Sequence, residues 1–131
     1  MRHEAILWEL LAPGDKRVRC NLCAHRCVIP PGKLGACCVR ENVDGQLFTL
    51  VYDRTISQHV DPIEKKPLFH FLPGSTAYSV ATPGCNFRCA FCQNWEISQM
   101  PREGGLMGSL VSPADVARAA RRNGCASIAY T

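Results

Sequence analysis

Seven of the nine cysteines in this chain of 131 residues lie in two tight groups, and this constrains the fold more than any other feature. The first group is Cys20, Cys23, Cys27 and Cys37, with Cys38 beside it, and the second is Cys85, Cys89 and Cys92. An odd total divided in this way is not typical of a disulfide framework. Clustered reduced thiols are more often metal ligands or redox groups.

The rest of the composition favours a cytoplasmic protein. Glu4 and Glu9 interrupt the only apolar stretch near the N-terminus, so we expect no secretory leader, and no stretch is long enough to predict a membrane span. The formal net charge is +4, and the basic residues are scattered rather than clustered. We therefore expect neither a membrane nor a nucleic-acid partner.

Turn signals dominate the first half of the chain. Residues 38–41 and 46–52 favour paired strands, because Asp44-Gly45 between them is a strong hairpin dipeptide. Residues 61–74 carry three prolines and predict an ordered connecting segment without a helix or a central strand.

The second half has the pattern of an α/β fold. Residues 76–82 predict a strand, and a long loop follows the second cysteine group. Ser112, Pro113 and Asp115 predict the start of a helix, and Asn123-Gly124 predicts its end before a strand over 127–131. We therefore predict a Cys-rich module and connecting segment over 1–74 and a β/α unit over 75–131. Two parallel strands with one helix leave a sheet face uncovered, so we expect the chain to be a truncated one.

The second cysteine group places three thiols in one loop, with three residues between the first two and two between the last two. Thiolates suit zinc, copper(I) and iron–sulfur clusters. Structural zinc requires four ligands, and three cysteines on a 4Fe–4S cluster leave one iron open to a small molecule. The loop follows a predicted strand, where β/α folds place active sites. This position favours a cluster with an open iron over a structural zinc site.

Cys85-x-x-x-Cys89-x-Phe91-Cys92 resembles the signature of radical S-adenosylmethionine (SAM) enzymes. The longer strings over 61–74, 84–94 and 97–99 resemble the AmmeMemoRadiSam-system radical SAM enzymes, a group similar to pyruvate formate-lyase activating enzymes. The resemblance covers residues 19–131. It implies that the fold is the truncated start of a radical SAM (β/α) barrel, preceded by a Cys-rich, mainly β or irregular N-terminal module.

The resemblance also implies a function. Cys85, Cys89 and Cys92 would hold a 4Fe–4S cluster that reductively cleaves S-adenosylmethionine to a 5′-deoxyadenosyl radical for hydrogen abstraction, as in a glycyl-radical activase. Phe91 would line the adenine side, unless it is simply an aromatic residue that anchors the loop. The electron donor would be of the flavodoxin or ferredoxin type, and the substrate a protein or a small molecule. Since further cofactor contacts would come from later strands, we expect the isolated chain to bind a cluster but to be weak or inactive.

The first cysteine group has four members, which is enough for a closed site of zinc or a second iron–sulfur cluster. We therefore predict a structural metal site at Cys20, Cys23, Cys27 and Cys37, with His25 and Cys38 as competing ligands. A redox dithiol and uncoordinated buried thiols are the alternatives. For the whole chain, the alternatives to a radical enzyme are a zinc-binding interaction module without catalysis and an electron-transfer iron–sulfur protein.

Overall fold

The computed structural model describes residues 2–12 and 14–130. Over these residues it contains eleven short strands, two α-helices and one short 3-10 helix. The chain divides into two compact units, each built from two chain segments: Met1–Tyr52 with Pro83–Met107, and Asp53–Thr82 with Gly108–Thr131. The predicted domains, 1–74 and 75–131, divide the chain differently, because each observed unit combines residues from both of them.

The first unit contains two small antiparallel sheets and one helix. One sheet has the order β1 (His3–Glu4), β6 (Gln46–Thr49), β5 (Arg40–Val43). The other has the order β2 (Trp8–Leu10), β3 (Val18–Cys20), β4 (Val28–Ile29). Helix α1 is Trp95–Glu103. The core is small: the buried side chains of Ala5, Val18, Cys20, Ile29 and Leu47 form one cluster.

The predicted hairpin is confirmed, although its first strand begins two residues later than expected and its second strand is shorter. β5 pairs with β6 in antiparallel register around Asp44 and Gly45, whose φ angles are +53° and +94°. Two consecutive positive φ angles are what a two-residue type I′ hairpin turn requires. Fully buried Asn42 fixes the turn, because its Oδ1 accepts a 2.8 Å hydrogen bond from the Gly45 amide.

The second unit is a mixed sheet with one helix packed on it. Its elements are β7 (Arg54–Thr55), β8 (Ser57–Pro62), the 3-10 helix (Ile63–Lys65), β9 (Thr76–Ala81), β10 (Ser109–Leu110), α2 (Pro113–Arg122) and β11 (Ser127–Tyr130). The main sheet has the order β11-β9-β8, and β7 pairs with β10. Val116 and Ala120 of α2 join Tyr78 and Val80 of β9 in one apolar cluster.

The predicted ends of α2 are confirmed. Ser112 is the N-cap, and its Oγ accepts a hydrogen bond from the Asp115 amide at 3.2 Å. Pro113 occupies the first turn of the helix, where a backbone N–H has no partner within the helix and its absence costs no hydrogen bond. The helix ends at Arg122 with Asn123 as its C-cap, and Gly124 follows at a φ of +66°.

The predicted fold class is wrong: the chain does not form the start of a radical SAM (β/α) barrel. β11 lies parallel to β9 as expected, but the other neighbour of β9 is β8, which runs antiparallel to it. A barrel of that kind needs successive parallel strands, each followed by a helix. In the described residues every other strand pair is antiparallel. The observed architecture is a set of small, mostly antiparallel sheets with two helices.

Candidate metal-binding thiols

The loop that carries the second cysteine group begins with a tight backbone contact within the first unit. Gly84 has a φ of +98°, and a Cβ placed on it would lie 2.6 Å from Val39 Cγ1 and 3.0 Å from the backbone oxygen of Cys37. Only glycine fits here, because an L side chain would be strained and would also clash. The Gly84 amide donates a 2.9 Å hydrogen bond to the Ile97 oxygen in α1.

The three thiols of this loop differ in exposure. Cys89 is exposed, and Cys85 and Cys92 are partly buried. Cys85 Sγ accepts a hydrogen bond from the Phe87 amide at 3.4 Å, and Cys92 Sγ shares one with Ser98 Oγ at 3.4 Å. The Cys92 amide donates to the Cys89 oxygen at 3.3 Å, so the last two cysteines lie on one turn.

Helix α1 makes hydrogen bonds to the backbone of the cysteine loop. This helix was missed in the sequence, where we predicted a long loop after the second cysteine group. Arg102 donates to the Cys85 oxygen at 2.7 Å and to Gln99 Oε1 at 2.8 Å. Buried Gln99 donates from Nε2 to the Phe87 oxygen at 3.1 Å. The spacing of Trp95, Ser98, Gln99 and Arg102 was the available signal, since positions three and four apart share one helix face.

The N-terminal segment also reaches this loop. His25 Nε2 donates to the Asn86 oxygen at 2.9 Å, and the His25 ring packs edge-on against Phe87 with centroids 6.4 Å apart. In the structure His25 therefore contacts the second cysteine group rather than acting among the first group. No signal in the sequence linked these two positions.

A cavity of about 430 Å³ opens beside Cys89. Arg88, Trp95, Arg102 and Glu103 are among its lining residues. Phe91 does not line it; this side chain is 88% exposed. The exposed Phe91 side chain is therefore not an aromatic anchor in the core. Its role on the adenine side of the cofactor stays a prediction.

The first cysteine group gathers around the β3–β4 hairpin. The Cys20 amide donates to the Cys27 oxygen at 2.9 Å, and Cys27 Sγ accepts a hydrogen bond from the Ala36 amide at 3.5 Å. Burial raises the pKa of Cys37; the Val39 amide opposes this shift, and the nearby thiols of Cys20 and Cys27 add to it. The thiols of Cys20 and Cys27 thus lie within electrostatic range of the Cys37 thiol. Cys38, with a φ of +60°, directs its sulfur to within 4.0 Å of Arg102 Nη1.

All nine cysteines are free thiols, and thiolate sulfur is a ligand type that zinc and iron–sulfur clusters bind. They are not yet gathered as ligands. Over residues 2–12 and 14–130, no three His, Cys, Asp or Glu side chains form a group that could hold a metal ion. Binding at either cysteine group therefore requires the thiols to turn towards one another.

The described residues contain no helix long and apolar enough to cross a membrane.

Comparison with known proteins gives relatives without an assigned activity. The chain is 44% identical over 128 residues to the uncharacterized protein MJ0808 of Methanocaldococcus jannaschii, a match that covers 98% of this chain and 38% of the relative. It is 34% identical over 82 residues to the uncharacterized protein MJ0674 of the same organism, covering 62% of this chain and 19% of the relative. The chain thus spans well under half the length of these relatives. No family model and no solved structure matches it.

Proposed function

We propose that this chain carries the cluster-binding part of a radical SAM enzyme, with Cys85, Cys89 and Cys92 as the ligands of a 4Fe–4S cluster. The observation that carries the proposal is the loop itself: three cysteines fall within eight residues, and α1 and the N-terminal segment both support its backbone. The fold gives no support, and the proposal depends on the loop alone.

When bound, such a cluster would supply one electron and one open iron for S-adenosylmethionine, whose cleavage gives a 5′-deoxyadenosyl radical for hydrogen abstraction. The protein would position the three thiolates. Arg102 and Gln99 would hold the backbone at Cys85 and Phe87, and the Phe87 amide would donate to the Cys85 sulfur. Hydrogen bonds to ligand sulfurs are one way in which proteins tune such centres.

The cavity beside Cys89 would then receive part of the small molecule. Arg88 and Arg102 supply positive charge there, Glu103 supplies one negative charge, and Trp95 adds an aromatic side chain. A carboxylate would meet the guanidinium groups favourably, because Arg–carboxylate hydrogen bonds are among the strong ones. Phe91, which is exposed between two of the ligands, would pack on the bound molecule.

The proposal extends to the setting of the protein. We place it in the cytoplasm, with an electron donor of the flavodoxin or ferredoxin type and without a nucleic-acid or membrane partner. The substrate would be a protein glycine or a small molecule. Because the chain spans 38% of MJ0808, we propose this activity for a protein of that greater length and expect the chain alone to be weak or inactive.

The test is electron paramagnetic resonance of the anaerobically reconstituted, reduced chain, with and without S-adenosylmethionine. We expect a cluster signal that changes when S-adenosylmethionine is added, and about four irons on the second cysteine group. Cys89→Ser should abolish that signal. Cys125→Ser is the matched control and should keep it, since Cys125 packs against the apolar cluster of α2 and β9.

Two results would contradict the proposal. A signal that S-adenosylmethionine leaves unchanged would indicate an electron-transfer protein, in which every iron has a protein ligand. A colourless protein that contains only zinc would indicate an interaction module without catalysis.

A further inference from the structure

The β3–β4 hairpin brings three cysteines to one end. Cys20 ends β3, and its amide bonds to the Cys27 oxygen just before β4 begins. Cys23 lies in the short connection between them. A hairpin end with two short-spaced cysteines is a common way to grip a metal ion, because the turn directs both sulfurs to one side.

The turn after β4 brings the fourth cysteine to the same place. The Ala36 amide donates to Cys27 Sγ, and Cys37 is the next residue. The approach is close: a Cβ on Gly35 would lie 3.2 Å from Ile29 Cδ1 and 3.8 Å from Cys27 Sγ. Backbone amides that donate to cysteine sulfur favour the thiolate form, which is the form that binds metal.

Arg40 supplies a buried positive charge at this point. The residue is 7% exposed, and its Nη1 donates to the Ile6 oxygen at 3.1 Å and to Cys20 Sγ at 3.3 Å. Within the described residues no carboxylate pairs with it. A guanidinium stays charged in proteins, and a buried charge is costly unless an opposite charge offsets it. Thiolates that bind a metal ion beside it would supply that opposite charge.

We propose that Cys20, Cys23, Cys27 and Cys37 hold one Zn²⁺ as four thiolates, and that buried Arg40 offsets part of the net negative charge of that centre. Four thiolates on Zn²⁺ carry a net charge of −2, so a nearby cation lowers the cost of burying them. The sulfurs are not gathered in the structure, so metal binding would require these side chains to turn towards one another. This inference goes beyond the proposed function, because it concerns a separate set of cysteines.

The unit that surrounds the site is of the kind that structural zinc stabilises. Four protein ligands close the coordination shell and leave no open position, as in structural zinc sites. The core of this unit is small, with five buried apolar side chains in its cluster. In small units the free energy of metal binding supplies folding free energy that the core lacks.

The test uses the full chain with Cys85, Cys89 and Cys92 all changed to Ser, so that a metal bound by the second cysteine group cannot contribute. We expect about one zinc ion per chain, with iron and sulfide absent. Replacement of zinc by cobalt should give the visible absorption of a tetrahedral thiolate site. In this background Cys27→Ser should abolish zinc binding, and Cys125→Ser, in the other compact unit, should leave it unchanged.

Arg40 is tested by zinc affinity, measured by competition with a chelator. Arg40→Met should weaken it about 10–100-fold, the range for residues that support metal ligands. Arg19→Met is the matched control, since Arg19 lies in β3 next to Cys20 but pairs with Glu9 at the surface. Arg40→Lys keeps the charge and should weaken zinc binding less than Arg40→Met; it also provides a folded comparison if the Met variant does not fold.

Three outcomes would overturn the inference. The first is an iron–sulfur cluster or no metal in the triple-serine background. The second is full zinc retention in the Cys27→Ser variant. The third is an unchanged zinc affinity in a folded Arg40 variant, which would remove Arg40 from the centre.

Discussion

The guanidinium of Arg102 donates a 2.7 Å hydrogen bond to the backbone oxygen of Cys85, 17 residues earlier in the chain. The same side chain bonds to Gln99 in its own helix. Arg102 thereby ties α1 to the first residue of the second cysteine group.

Arg102→Met should destabilise the protein by about 1–2 kcal/mol, because it removes charged hydrogen bonds from partly buried acceptors. Urea denaturation gives this free energy of unfolding. Arg118→Met is the control: Arg118 pairs with Asp115 on the exposed face of α2, and its loss should cost about 0.5 kcal/mol or less. Equal losses in the two variants would contradict the supporting role of Arg102.

Gly84→Ala should destabilise the protein by about 2–5 kcal/mol, since the positive φ and the clash with Val39 both count against a side chain. Gly74→Ala is the matched control. Gly74 also has a positive φ, +76°, but nothing lies within 4 Å of the Cβ position. It should cost only about 1–2 kcal/mol, the conformational part. Thermal or urea unfolding of both variants separates the clash from the backbone strain.

Ser112→Ala should cost about 0.5–2 kcal/mol, because it removes the side-chain oxygen that accepts the Asp115 amide at the start of α2. Ser112→Thr keeps an oxygen at this position and should retain most of the stability. Urea denaturation checks both variants. A Thr variant as unstable as the Ala variant would argue that the loss has a cause other than capping.

Asp61 should make stability depend on acid. Hydrogen bonds from Lys65, Ser79 and Lys66 hold the pKa of this carboxyl well below its usual range. Because the pKa is lower in the folded state, the stabilisation is complete above the unfolded value of about 4 and is lost as pH falls through the folded value. Asp61→Asn should lower stability at neutral pH and reduce its decline below about pH 4.

Urea denaturation over a pH series checks this prediction. The control is Asp53→Asn, in the same unit, which should leave the acid decline in place. An unchanged pH profile in the Asp61→Asn variant would show that other carboxyls cause the decline.

Local signals in the sequence predicted the elements that local chemistry controls. The dipeptide Asp44-Gly45 predicted the β5–β6 hairpin because its backbone angles are nearly imposed by the turn. The ends of α2 were also predictable from the sequence, since Ser112 and Asn123-Gly124 act within one helical turn.

Elements that depend on distant contacts were not predictable in this way. Asn94 provides no side-chain cap to α1, and Pro101 lies inside the helix. The helix instead makes its bonds to Cys85 and Phe87 through Arg102 and Gln99. The predicted barrel was wrong for a related reason: the order of strands and helices along the chain does not reveal that β8 pairs antiparallel with β9.

The candidate sites likewise contain residues that the sequence identifies and residues that only the folded structure identifies. The spacing of the cysteines identified both groups of thiols. The contact of His25 with Asn86 joins residues 61 positions apart, and the bond between Arg40 and Cys20 depends on strands of different sheets. Such partners become visible only when the chain is folded.

Each compact unit is assembled from two separate stretches of the chain, and this has a consequence for synthesis on the ribosome. The first 52 residues emerge well before residues 83–107, which complete their unit. At roughly 5–20 residues per second, this interval lasts several seconds. During it, residues 20–38 lack the later residues that contact them, such as Asn86 for His25 and Arg102 for Cys38, so this part of the unit completes its contacts only after residues 83–107 have emerged.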